Sequence, residues 1–170
     1  MSLTENFKVF AAVTGNMSGT TLYIDIQRIG GIFSSQHRDC QPGAKALLRF
    51  AKSDDKNEEI CIRETPDEVV SQITKKQKEL LGGNLLKAFI PVSFMNNELT
   101  AQLPIDSIKR IASAKCDAPS PSCIIYYNTI GINGMQLTIA GSAEDIEKTI
   151  YDKQKQQALL IKRMALSAVI

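Results

Sequence analysis

The N-terminal half of the chain contains four short segments in which apolar residues run together or alternate with polar ones. Residues 7–14 and 21–26 are separated by residues 15–19, whose glycine, asparagine and serine content favours a turn. Residues 46–51 and 59–62 flank the charged stretch 52–58, which is expected to form a solvent-exposed loop. Short runs of this kind are typical of β-strands, so the pattern predicts two β-hairpins.

The C-terminal half shows a similar pattern. It predicts four further strands, at residues 90–94, 99–103, 124–128 and 135–139. Asn133-Gly134 is the strongest hairpin signal in the chain, because both residue types adopt positive φ angles readily. We therefore place the last turn at this dipeptide.

Each set of strands is followed by a switch to helical spacing at a capping motif. Thr65 is followed by a proline and, three residues later, by a glutamate, an arrangement that caps the first turn of a helix. Ser142 is followed three residues later by an aspartate. Apolar residues at helical spacing continue both patterns, and the glycine pair at 82–83 is expected to end the first helix.

The two halves also match at a constant offset of 77 residues. The matching segments are 47–50 with 124–127, 60–62 with 137–139, 65–69 with 142–146, and 76–78 with 153–155. Further upstream, Ile24-Asp25 resembles Ile105-Asp106 at an offset of 81, which a difference in loop length would explain. A shared order of strands, loops and capped helix indicates an internal duplication.

The predicted fold is α+β with two tandem repeats, residues 1–84 and residues 85–170. Each repeat has four antiparallel strands followed by one helix that covers one face of the sheet. Units of this size bury a limited core on their own. We therefore expect the two repeats to pack together with pseudo-twofold symmetry.

The second half follows the order strand pair, isoleucine-rich turn, strand, polar turn, strand, and helix with an acidic cap. The segments that carry this order are 92–94, 105–111, 123–127, 133–134 and 142–146. In this order, residues 90–155 resemble the small flagellar and swarming-motility protein family. The resemblance implies a fold and a role connected with motility, and it transfers no functional residue because it rests on core and turn positions. This chain differs from the family in its duplication and in its tail, residues 158–170.

Composition and charge name no partner and no reaction. The chain has 170 residues, of which 44% are hydrophobic and 22% charged, the balance of an ordinary globular protein. A net charge of +2 is too small to indicate nucleic-acid binding by itself. There is a single histidine and no glycine-rich phosphate-binding motif. We therefore predict that the protein is not an enzyme and uses no cofactor.

The cysteines are interpreted as reduced thiols of a cytoplasmic protein. They are Cys40, Cys61, Cys116 and Cys123. The six residues between Cys116 and Cys123 do not match the spacing of a zinc site, so no metal is expected. Residues 37–40 combine a histidine, a cation, a carboxylate and a thiol, but neighbours in sequence do not converge easily into a catalytic triad, and a polar loop is the favoured interpretation. The apolar stretch at 158–170 is interrupted by charges and too short to span a membrane.

Lysines on the two predicted helices suggest an alternative function in binding single-stranded nucleic acid. They are Lys75, Lys76, Lys78, Lys153 and Lys155. Aromatic residues on exposed strands would supply stacking surfaces, the candidates being Tyr23, Phe50, Tyr126 and Tyr127. Alternation in a strand turns Tyr126 and Tyr127 to opposite faces, so only one of them can stack. The simpler interpretation is that the lysines lie on solvated helix faces.

The C-terminal tail is predicted to mediate self-association into a homodimer. Its apolar residues lie on most sides of a helix, whereas one small sheet covers a single stripe. The interface candidates are Leu160, Ile161 and Met164. The alternative is that the tail folds back on its own domain.

Taken together, these features favour a binding or regulatory module that acts through protein–protein contacts on its sheet faces or strand edges. The protein partner is not identified by the sequence. Single-stranded DNA or RNA binding is the second hypothesis, and no membrane association is expected.

Overall fold

The computed structural model describes residues 8–34, 40–53, 56–94, 99–113, 122–129 and 132–169. In these residues the chain is an α+β protein with ten strands in three antiparallel sheets and two α-helices, which confirms the predicted class. The strands are β1 (Phe10–Thr14), β2 (Thr21–Asp25), β3 (Ile29–Ser34), β4 (Ala46–Ser53), β5 (Lys56–Ile62), β6 (Phe89–Ser93), β7 (Thr100–Pro104), β8 (Ile108–Ser113), β9 (Ser122–Thr129) and β10 (Ile132–Ala140). The helices are α1 (Pro66–Leu80) and α2 (Ala143–Val169).

Five described strands precede each helix, rather than the four that the sequence predicts. In both halves two strands lead into a short 3-10 turn, Ile26–Arg28 or Ile105–Ser107, and three more strands follow. The unpredicted strands, β3 and β8, start directly after these turns. A glycine pair in β3 and a Lys-Arg pair in β8 interrupt the hydrophobic pattern that marks a strand. Ile26, and not Ile24, holds the position in the first turn that Ile105 holds in the second.

The largest sheet contains strands from both sides of the boundary predicted at residue 84. Its strand order is β5-β4-β3-β7-β6, so that β3 of the first half pairs with β7 of the second. A three-stranded sheet has the order β10-β9-β8, and β1 and β2 form a hairpin of their own. Single bridges from Gly15 to Ile62 and from Phe94 to Ile139 connect each hairpin to the last strand before the following helix.

Two hydrophobic cores form, and each one receives a phenylalanine from the other half. The first core combines residues of β1 to β5 with Val69 and Ile73 of α1, and it also contains Phe89 of β6. The second core is built from residues of the second half, and Phe33 of β3 packs against it. Because apolar burial is the main favourable term in folding, this exchange joins the two halves energetically.

Both helices begin at the capping residues that the sequence predicts. The Glu68 N–H donates to the hydroxyl of Thr65 at 3.1 Å, and the Asp145 N–H donates to the hydroxyl of Ser142 at 3.2 Å. Gly82 follows the end of α1 with a φ angle of 64°, a left-handed conformation that favours glycine. These local predictions are confirmed.

The turn predicted at Asn133-Gly134 is wrong. Both residues lie inside β10, where the pairing with β9 shifts register between Ile132 and Met135. A β-bulge accepts the same backbone conformations that a tight turn does, which explains why this dipeptide gave a turn signal.

The segment that links α1 to β6 is buried, and a glutamine of α1 fixes it. The Gln77 side chain accepts from the Lys87 N–H at 2.7 Å and donates to the Lys87 carbonyl at 2.9 Å. The ammonium of Lys87 donates to the Gln27 carbonyl at 3.1 Å and lies 3.9 Å from the Asp106 carboxylate. Burial lowers the pKa of Lys87, against the opposing effect of Asp106 and Asp25.

Candidate interaction surfaces

Among the described residues, the backbone groups on the outer edge of β2 have no hydrogen-bond partner. In the β1–β2 hairpin, Tyr23 lies opposite Ala12. The N–H and C=O of Ala12 bind the amide of Gln72 on the opposite side, at 2.7 and 2.9 Å. In an antiparallel ladder, two residues directly opposite each other either both bond across the ladder or both point away from it. Since Ala12 points away from β2, the N–H and C=O of Tyr23 point away from β1. No described strand pairs with that side of β2.

The same hairpin carries exposed apolar side chains. Tyr23 is 68% exposed, Phe10 44% and Leu22 37%. Tyr23 and Phe10 share one face of the hairpin, since Tyr23 lies opposite Ala12 and Phe10 is two residues from Ala12 on β1. The hairpin therefore combines open hydrogen-bonding groups with an apolar surface, the two features that a strand-pairing partner uses.

The outer edge of β1, in contrast, is closed by side chains from the region around α1. Besides Gln72, the Lys76 ammonium donates to the Phe10 carbonyl at 2.9 Å, and both carboxylate oxygens of Glu64 accept from the Thr14 N–H at 2.9 Å. Covering an edge in this way prevents unwanted strand pairing.

β8 is another strand at the end of its sheet, as are β5, β6 and β10 in the described part of the chain. It pairs with β9 on one side, and no described strand pairs with its other side. Ile111 is half-buried within the sheet, and Ser113 at the end of the strand is exposed.

The junction between β3 and β7 shows how such edges can be completed. Ile32 lies opposite Gln102, and Phe33 lies opposite Ala101. The hydroxyl of Ser34 accepts from the Thr100 N–H at 3.0 Å. The junction is thus a short antiparallel pairing reinforced by one side chain.

A side chain also links this junction to helix α1. The Gln102 amide donates to the Asp67 carboxylate at 2.9 Å. Phe89 on the adjoining strand β6 is only 4% exposed, because it inserts into the first core.

The structure brings three of the five predicted nucleic-acid-binding lysines together. Lys75 and Lys78 of α1 and Lys153 of α2 line one open cavity of about 620 Å³, together with Glu79. The other two lysines lie elsewhere, since Lys76 closes the β1 edge and Lys155 lies 3.6 Å from Asp152. Positive charge on both walls of the cavity offers a place for an anion.

The predicted stacking residue Tyr126 is not an open platform. It is half-buried, and the guanidinium of Arg110 lies over its ring at 4.0 Å from the centroid. A cation–π contact of this kind covers one ring face. The side chain of Tyr127 lies outside the described residues.

The tail predicted to self-associate belongs to a continuous helix. α2 runs to Val169, and the side chains of Leu160, Ile161 and Met164 lie outside the described residues. Just before them, the Gln157 amide donates to the Leu86 carbonyl at 3.1 Å. This bond fixes the middle of α2 to the buried linker segment.

The prediction of reduced thiols is wrong for two of the cysteines. Cys40 and Cys61 form a disulfide with a Cα–Cα distance of 5.7 Å, well within the range for such bonds. Their spacing of 21 residues gave no hint of pairing, because the approach depends on β5 running beside the segment after β3. Cys116 and residues 37–39 lie outside the described residues, whereas Cys123 is a buried thiol whose pKa is raised by burial and by the nearby Glu144.

Two further observations bear on the expected absences. Within the described residues, no group of histidine, cysteine or acidic side chains is arranged to hold a metal ion. None of the helices in the described part of the chain combines the length and apolar character needed to cross a membrane.

Sequence reasoning missed the open edges of β2 and β8. It identified Tyr23 only as a stacking aromatic, and it did not recognise β8 as a strand. Edges depend on which strands become neighbours, and that information lies in the tertiary pairing and not in the local pattern.

Comparison of the chain with models of known protein families, with curated proteins and with solved structures finds no match.

Proposed function

We propose that this chain is a non-enzymatic binding or regulatory module that acts through protein–protein contacts at its open strand edges. The observation that carries the proposal is the outer edge of β2, where the backbone groups of Tyr23 face outward beside exposed apolar side chains. Addition of a strand to such an edge gives affinity through main-chain hydrogen bonds and specificity through the neighbouring side chains.

Selective protection of the edges supports this function. β1 lies beside β2 in the same hairpin, yet its outer edge is satisfied by Gln72, Lys76 and Glu64. An open hydrophobic edge is an aggregation hazard unless it has a partner. A chain that closes one side of a hairpin and leaves the other open is best explained if the open side has a partner to bind.

The proposal includes an internal duplication whose repeating unit has five strands and one helix, one strand more than the sequence predicts. The order of two strands, 3-10 turn, three strands and helix occurs on both sides of the predicted boundary between residues 84 and 85. β1 starts at Phe10 and β6 at Phe89, while α1 starts at Pro66 and α2 at Ala143. The helix offset equals the 77 residues found by sequence matching, which supports a common origin of the halves. A role connected with motility rests on the sequence alone. The sequence argument for a cytoplasmic location depends on reduced thiols, and the disulfide between Cys40 and Cys61 removes that support, because disulfides are rare in cytosolic proteins.

The decisive experiment places a photo-crosslinking phenylalanine derivative at Tyr23 of the full chain in living cells. The matched control carries the same group at Tyr151, which is 56% exposed on α2 and belongs to neither β2 nor β8. Adducts with one defined protein at Tyr23 and none at Tyr151 would support an edge-binding function. An adduct pattern that is the same at both positions, or no protein adduct at Tyr23, would contradict it.

The cavity between α1 and α2 favours one second candidate, the binding of single-stranded nucleic acid. Lys75, Lys78 and Lys153 would contact phosphates there, and binding should weaken steeply with added salt. Fluorescence anisotropy with labelled single-stranded DNA and RNA tests this. Lys75→Gln combined with Lys153→Gln should abolish the salt-dependent signal, whereas Lys148→Gln on the exposed part of α2 should not.

A further inference from the structure

We propose that β8 of one copy of this chain pairs antiparallel with β2 of a second copy, in the register that β3 and β7 use within one chain. The inference rests on the edge-binding function proposed above and names its partner as a second copy. It follows from the correspondence between the two halves, because β3–β7 is one of two equivalent junctions and β8–β2 is the other.

The correspondence is constant over the elements that form the junctions. β1, β2, the first turn and β3 each begin 79 positions before β6, β7, the second turn and β8. The hairpins also share their internal register, since Phe10 lies opposite Asp25 as Phe89 lies opposite Pro104. Each residue of the observed junction therefore has one defined counterpart in the open edges.

The backbone pairing of the observed junction transfers directly. Ile32 opposite Gln102 becomes Ile111 opposite Tyr23 of the second copy. The N–H and C=O of Tyr23 face outward and are available for this ladder, as shown by the contacts of Ala12.

The side chain that reinforces the observed junction is present in the proposed one. Ser34 corresponds to Ser113, and Thr100 corresponds to Thr21. The hydroxyl of Ser113 would accept from the Thr21 N–H of the second copy, as Ser34 accepts from Thr100. Both residue types of the observed contact recur at the matching positions.

The phenylalanine at the observed junction is buried, whereas its counterpart at the proposed junction is exposed in the single chain. Phe89 is 4% exposed, because it inserts into the core of the opposite half. Its counterpart Phe10 is 44% exposed in the single chain. Pairing would carry Phe10 of the second copy to the second core, where its apolar surface leaves water.

A helix contact has a counterpart as well. Gln102 donates to Asp67 in the first turn of α1, and Glu144 stands in the first turn of α2 at the matching position. The residue matching Gln102 is Tyr23, whose phenol donates to a carboxylate as an amide does.

The proposed contact uses two different surfaces, so it is head-to-tail. After a single contact, one copy keeps its open β2 and the other keeps its open β8, so further copies can add at both ends until a ring closes. This distinguishes it from the tail-mediated homodimer predicted from sequence, in which both copies use one surface.

The test uses two variants of the full chain that each block one edge. Tyr23→Pro removes the outward N–H from β2 without removing a hydrogen bond to β1. Ser113→Pro removes the hydroxyl acceptor and blocks the exposed end of β8. Circular dichroism checks folding, and if either variant is unfolded, Tyr23→Lys and Ser113→Lys replace the pair, because edge lysines also oppose strand pairing. Tyr151→Lys is the surface control.

Sedimentation velocity over a wide range of protein concentration gives the readout. The wild type and Tyr151→Lys should grow in mass with concentration, and each edge variant alone should stay monomeric. An equimolar mixture of the two edge variants should form a one-to-one heterodimer that does not grow, because one intact β8 meets one intact β2. Hydrogen exchange should show new protection at Tyr23 and Thr21 in the wild-type assembly.

A wild type that stays monomeric, edge variants that still assemble, or a mixture that forms no heterodimer would each overturn the self-pairing. If self-pairing fails while the crosslinker at Tyr23 still captures one defined other protein, the edge-binding function stands with a different partner. If no protein is captured at Tyr23 in cells either, both proposals fail.

Discussion

The Gln77 side chain is predicted to be the most sensitive polar contact of the fold. It is fully buried and joins α1 to the linker segment by two hydrogen bonds to the backbone of Lys87. Gln77→Ala leaves one N–H and one C=O buried without partners. Each such group costs about 1–3 kcal/mol, so the free energy of unfolding should fall by about 2–5 kcal/mol.

Urea denaturation followed by circular dichroism measures this loss. With a denaturant slope of about 2 kcal/mol per molar, the midpoint should fall by about 1–2.5 M. Gln72→Ala is the matched control, because Gln72 makes the same two bonds to Ala12 at a partly exposed edge where water can replace it. Its loss should stay near about 1 kcal/mol. Equal losses for the two variants would refute the argument that burial sets the cost.

Gln77→Glu adds a pH test of the same contact. A carboxylate keeps the acceptor for the Lys87 N–H but has no donor for the Lys87 carbonyl. Burial should raise the pKa of the new carboxyl above its unfolded value of about 4.3. The folded state then binds more protons than the unfolded chain, so the variant should be most stable at low pH and lose stability as the pH rises through the raised pKa. A pH profile parallel to that of the wild type would contradict this.

Three further predictions follow from burial and connectivity. Cys40→Ser should lower the free energy of unfolding by about 3 kcal/mol, and dithiothreitol should lower that of the wild type equally but leave the variant unchanged. Burial lowers the pKa of Lys87, so the folded state binds fewer protons than the unfolded chain between that lowered pKa and 10.5. The free energy of unfolding should therefore rise with pH across this interval. Lys87→Met should remove the rise, whereas Lys148→Met at an exposed position should keep it. Phe89→Ala should cost about 3–5 kcal/mol and Phe10→Ala about 1 kcal/mol in dilute solution, and equal losses in urea denaturation would contradict the burial difference.

Features that depend on neighbours in sequence are the ones that could be predicted. Thr65 and Ser142 cap their helices because the hydroxyl and the N–H it accepts are three residues apart. Gly82 ends α1 for an equally local reason, its positive φ angle. The α+β class followed from the same alternation of strand and helix patterns.

Features that depend on distant segments were missed. The pairing of Cys40 with Cys61 requires the segment between β3 and β4 to meet β5, and the spacing of the cysteines carries no trace of that. β3 escaped detection because a strand with paired glycines has no alternating pattern, although its position between β4 and β7 makes it central to the largest sheet. β3 is a strand because it pairs with β4 and β7, and not because its own residues favour a strand.

The outer edges of β1 and β6, the first strands of the two hairpins, differ from the open edge of β2. On β1, Ala12 has its N–H satisfied by Gln72. The matching residue on β6 is Pro91, which has no N–H to leave open. At this one position the two halves therefore avoid an open N–H by different chemistry, a helix side chain in one and a proline in the other. The outward N–H and C=O of Tyr23 on β2 have neither kind of protection among the described residues, and the strand partner proposed above would supply it.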